Sequence, residues 1–62
     1  MKIIKYEVDT IEDNIRYINV YLDSFLLVEL ECLGSFLTDQ EEIQNWLDDN
    51  GYEDDNFNFE IL

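Results

Sequence analysis

Between Lys2 and Cys32 apolar side chains recur at every second position, in three successive stretches. In KIIKYEVD (2–9), Ile4, Tyr6 and Val8 fall on one side, and Lys5, Glu7 and Asp9 on the other. In IRYINVYL (15–22), Ile18, Val20 and Leu22 oppose Tyr17, Asn19 and Tyr21. In FLLVELEC (25–32), Leu26, Val28, Leu30 and Cys32 oppose Leu27, Glu29 and Glu31. A period of two belongs to a half-buried strand, and β-branched and aromatic residues suit a pleated surface. A long helix over 15–33 is the competing reading, and the strict alternation decides for strands. TIEDN (10–14) is polar enough to turn the chain. Asp23-Ser24 fits a tight hairpin, although its turn chemistry is weaker than that of Asn-Gly.

The periodicity then changes. Gly34 and Ser35 loosen the chain, and Thr38-Asp39-Gln40-Glu41 reads as a capping box. The Thr38 hydroxyl can accept from the Glu41 amide while the Glu41 carboxylate reaches back to the Thr38 amide. Asp39, Glu41 and Glu42 complement the positive end of a helix. Ile43, Trp46 and Leu47 form one apolar stripe, and Asn50-Gly51 ends the helix, with Gly51 able to turn left-handed. NFNFEIL (56–62) alternates again, with Phe57, Phe59 and Ile61 inward. The expectation is a single acidic α+β domain over residues 1–62, in the order β-β-β-α-β. Its three- to four-stranded sheet is mainly antiparallel, with one helix across a face.

A domain of this size buries only about 60% of the surface its unfolded chain exposes. A second copy or another partner would therefore help it. Hydrophobic residues nevertheless make up 47% of the chain and nine are aromatic, unlike a disordered acidic tail. Sixteen acids face three bases, a net charge of −13, and no positive side chain follows Arg16. Such self-repulsion opposes compaction while favouring solubility. It makes nucleic acid and anionic membranes poor partners and a basic protein surface a good one. The amino-terminal MKIIKYEVD meets charge too soon for a signal peptide or membrane span, so a cytoplasmic location is expected. Cys32 is the lone cysteine, which leaves no internal disulfide and suggests a small buried hydrophobe.

The densest acidic stretch is NWLDDNGYEDDNF (45–57). As an EF-hand loop with Gly51 at the glycine position, Asp48 and Asn50 would be ligands, but the first and last ligand positions would be Trp46 and Phe57. With no histidine and one cysteine, zinc is disfavoured too. Paired carboxylates can perform acid–base chemistry only in environments that separate their pKa values, and Cys32 has no basic neighbour in sequence to activate it. No enzyme activity, cofactor or metal is expected. A salt-adapted origin would also raise acidity, but it does not account for so many large aromatics and isoleucines.

Along the helix Glu41, Asn45 and Asp48 share an outward face, about one turn or roughly 5 Å apart. Glu42 and Asp49 flank them, the turn adds Glu53, Asp54 and Asp55, and the last strand adds Glu60. Nine carboxylates thus fall between Asp39 and Leu62, enough for an anionic ridge comparable to a nucleic-acid backbone. Tyr52, with Tyr17 and Tyr21, would supply the amphipathic contact type enriched at interface anchors. In size, charge and aromatic content the chain resembles the small acidic inhibitors of phages and mobile elements, among them anti-CRISPR and anti-restriction proteins. The resemblance implies a stoichiometric inhibitor that imitates nucleic acid in the basic groove of a CRISPR effector or another DNA-handling enzyme. Glu41, Glu42, Asp48, Asp49, Tyr52, Glu53, Asp54 and Asp55 are the expected contacts. A generic interaction subunit and a small cation-binding domain are the alternatives, and the small core leaves room for a homodimer.

Overall fold

The computed structural model describes residues 2–34 and 36–62. Ser35, half of the Gly34-Ser35 break expected from sequence, lies outside them. The chain forms β1 (Lys2–Glu12), β2 (Ile15–Leu22), β3 (Phe25–Leu33), α1 (Asp39–Asp49) and β4 (Phe57–Ile61). The four strands make one sheet in the order β3-β2-β1-β4. Two hairpins join β1, β2 and β3 antiparallel, and β4 pairs parallel with β1. The chain must cross the sheet from β3 to reach β4. The α1 segment makes that crossing and covers one face.

Both hairpin turns have two residues in the left-handed region: Asp13 and Asn14 at φ 51° and 65°, Asp23 and Ser24 at 51° and 72°. Two left-handed residues match the twist of the flanking strands. Asp and Asn tolerate the conformation because their short side chains bond locally. The first turn is therefore Asp13-Asn14, not the whole of TIEDN. Thr10 and Ile11 are β-branched and extend β1 to Glu12. Serine at φ 72° is the strained member of the second turn. Replacing Asp23-Ser24 with Asn-Gly is expected to add about 1 kcal/mol. For a domain of this size that raises the thermal midpoint by about 4–8 °C. An unchanged or lower midpoint would show that this turn carries no strain.

The core holds Ile4, Tyr6, Ile18, Val20 and Cys32 from the sheet and Ile43 and Leu47 from α1. Two register shifts alter the faces expected from alternation. Asp9 is an extra residue between Val8, opposite Ile18, and Thr10, opposite Tyr17. Leu27 is an extra residue between Leu26, opposite Tyr21, and Val28, opposite Val20. An inserted residue reverses the alternation beyond it. Leu26 therefore shares the uncovered face with Tyr21 and is 57% exposed, contrary to the inward expectation. Leu27, expected outward, packs against the core instead. Val8 and Ile61 are on the expected face but beyond the reach of the single helix, so both are exposed.

The helix begins and ends as its sequence specifies. Thr38 Oγ1 accepts from the Glu41 amide at 3.2 Å, and Glu41 Oε1 accepts from the Thr38 amide at 3.0 Å. Gly51 takes φ 89° just beyond the cap residue Asn50. The Tyr52 amide then donates to the Leu47 carbonyl at 3.0 Å, the long closing bond of a Schellman motif. That motif usually brings the residue after the glycine against the last turn, and here the Tyr52 ring stacks on Trp46 with centroids 6.1 Å apart.

Candidate acidic interface

The fold divides the carboxylates between the two outer surfaces of a two-layer molecule. Asp48 and Asp49 lie exposed in the last turn of α1, and Glu53 and Asp54 lie exposed in the loop that follows. Glu41 is exposed at the other end of the helix. Its capping bond from the Thr38 amide holds its carboxyl below the usual range. A depressed carboxyl pKa means that this bond supports the fold above the unfolded pKa and is lost as pH falls through the folded value.

Three expected contacts have internal partners. Glu42 is half-buried and lies by Cys32. Asp55 is half-buried and pairs with Lys2 Nζ at 3.4 Å. Tyr52 is half-buried between Trp46 and Phe57, its centroid 6.3 Å from the Phe57 ring. Glu60 departs from the ridge altogether. It aligns with Lys5, on the face that α1 does not cover. That open face also carries Glu7 and Glu29 in one row with Asn19, and Glu31 in a row with Tyr17 and Thr10. Tyr17 and Tyr21 stand half-buried among these acids. The Tyr21 hydroxyl donates to Glu7 at 3.4 Å, and burial together with the Glu7 charge raises its pKa.

Arg16 has a role that sequence reading missed. It sits on the covered face, opposite Cys32. Its guanidinium pairs with Asp39 and donates to the Leu37 carbonyl at 3.1 Å. The two charged side chains are 19% and 27% exposed, and together they tie β2 to the start of α1. Their separation of 23 residues hides the pair from any local pattern. Arg16, Ile11, Asn14, Gly34 and Phe36 also line an open recess of about 460 Å³. With Lys2 and Arg16 both paired, Lys5 is the one remaining Lys or Arg of the chain.

The residues at the calcium-loop positions are engaged within the helix. Asp48 accepts from Gln44 Nε2 at 2.9 Å, and Asn50 Nδ2 donates to the Trp46 carbonyl at 2.7 Å. Among the described residues no three metal-ligating side chains converge. No helix is long and apolar enough to cross a membrane. Comparison with protein families, with curated proteins and with solved structures finds no match to this chain.

Cys32 is 1% exposed. Burial, reinforced by the Glu42 carboxylate, pushes its thiol up from 9.0 to about 11. An acid whose pKa rises on folding stabilises the fold below its unfolded pKa and loses that contribution as pH climbs through the folded one. Urea-measured stability is therefore expected to decline from about pH 9 to about pH 11. Cys32→Ala should remove that component. A wild type and variant with identical alkaline profiles would refute the assignment. Iodoacetamide at pH 8 should correspondingly label the folded protein far more slowly than the urea-unfolded chain.

Proposed function

We propose that this chain is a stoichiometric inhibitor acting in the cytoplasm. Its acidic helix end and following loop occupy the basic nucleic-acid groove of a bacterial defence nuclease, such as a CRISPR effector, or another DNA-handling enzyme. The observation that carries the reading is the position of Asp48 and Asp49. They lie in the last turn of α1, which holds no basic residue. The negative end of the helix dipole disfavours carboxylates there and favours Lys or Arg. Folding alone would select the opposite charge. The Gln44–Asp48 hydrogen bond offsets only part of that cost, and a local rule broken at two adjacent residues points to a functional surface.

Glu53 and Asp54 lie exposed just past Gly51. Four exposed carboxylates thus fall within seven consecutive residues at the helix terminus, while the two cations paired to acids serve Asp39 and Asp55. Lysines and arginines that normally hold phosphates could pair with them instead. Complementary fields would speed the encounter to about 10⁸ M⁻¹s⁻¹ at low salt. The mechanism is occupancy, with no bond made or broken.

Affinity capture from a bacterial lysate, washed in steps of rising salt, tests this reading. The expected result is retention of a nucleic-acid-handling enzyme that is released sharply by salt and also by added duplex DNA. Retention of only salt-resistant proteins indifferent to DNA would overturn it and favour a generic interaction subunit.

A further inference from the structure

Strand β3 ends the sheet. Among the described residues, the backbone hydrogen bonds outside the helix and strand ladders include none from Phe25–Leu33. The outer row of N–H and C=O groups is therefore open along a strand of nine residues. An open edge of this kind is a template for another strand. Its side chains are sorted by face. On the covered face Val28 and Leu30 are only half-buried, and Phe25 is 77% exposed. On the open face Glu29 and Glu31, whose partners in β2 are the uncharged Asn19 and Tyr17, stand between the exposed Leu26 and Leu33.

We propose that the β3 edge is a docking site for an extended segment of a partner protein, alternating Lys or Arg with apolar residues and added as a fifth strand. Main-chain hydrogen bonds supply affinity in such pairing, and alternate side chains supply specificity. Apolar residues of the incoming strand would cover Val28 and Leu30, while its cations would lie beside Glu29 and Glu31. A second copy of this chain is the poorer occupant. Antiparallel self-pairing centred on Glu29 sets that residue against itself. Centring on Leu30 sets Glu29 against Glu31 of the second copy. Like charges directly opposite destabilise a ladder, and each copy carries −13. The same two acids that discourage self-association therefore select a basic strand. This site is on β3, apart from the acids at the end of α1, and does not rest on the inhibitor reading.

The test is calorimetric titration with a synthetic peptide as long as β3, nine residues, alternating lysine and valine, followed by amide chemical shifts. Saturable one-to-one binding is expected, with shift changes centred on β3. A peptide of the same composition with its lysines grouped at one end should bind at least about tenfold weaker. N-methylation of alternate peptide bonds should abolish binding. A Glu29→Lys/Glu31→Lys variant should transfer its preference to a peptide alternating glutamate and valine, a gain that a misfolded protein would not show. Asp48→Lys/Asp49→Lys should still bind the lysine–valine peptide, which separates this site from the helix end. Equal binding of the grouped peptide, indifference to N-methylation, shifts centred on α1, or no saturable binding would each overturn the proposal.

Discussion

A Leu47→Ala variant is expected to lose its cooperative unfolding transition at 25 °C or to retain only a low, shallow one. Leu47 is fully buried beside Ile43 in a seven-residue core. It is one of two buried α1 side chains that hold the helix on the sheet. Truncating a buried leucine costs about 2–5 kcal/mol, because the lost transfer energy is joined by an unfilled cavity. At typical stabilities per residue, this whole domain has about 3–9 kcal/mol. The substitution thus removes most of what holds the protein folded, and circular dichroism during thermal unfolding reads it directly. Phe36→Ala provides the control. Phe36 is 98% exposed, and surface substitutions usually stay within about 0.5 kcal/mol. A Leu47→Ala midpoint within a few degrees of wild type would mean that the helix is not held by this core.

Reversing four acids should have opposite effects on folding and on binding. Asp48→Lys/Asp49→Lys/Glu53→Lys/Asp54→Lys changes the net charge by eight units, from −13 to −5. Asp55 and Glu41 are best left intact, since one pairs with Lys2 and the other closes the capping box. Lysines in the last turn of α1 would meet the favourable end of the dipole, worth roughly 0.3–1 kcal/mol each on a surface helix at low salt. Reduced self-repulsion adds to this. The variant is expected to melt higher than wild type and to lose target binding. A variant that melts lower would show that these acids support the fold. One that still binds would remove them from the interface.

The sequence pattern marked β2 to the residue and the helix to within one, because period, cap and stop signal all agree there. Thr38, Glu41, Asn50 and Gly51 act within a few residues of one another, so local chemistry suffices to read them. The bulges at Asp9 and Leu27 were not legible. Each is one extra residue with no compositional mark, yet each reverses the faces of everything beyond it, which moved Leu26 to the open side. Arg16 and Asp39 meet only once the sheet and helix are stacked. Helical period says nothing of Glu60, but the alternation that turns Phe57, Phe59 and Ile61 inward already sets it on the face away from the helix. Tyr52 resembled an exposed anchor in sequence, whereas the Schellman turn at Gly51 directs its ring onto Trp46. Asp48 and Asp49 were legible both as an acidic cluster and, from the Asn50-Gly51 stop, as residues of the last helical turn.

The most direct measurement is competition between this protein and duplex DNA for the enzyme it captures, repeated across a range of salt concentrations. Mutual exclusion is expected, with an affinity that falls steeply as salt rises and vanishes when the four acids near the end of α1 are reversed. A ternary complex in which DNA stays bound, or an affinity indifferent to salt, would contradict the account.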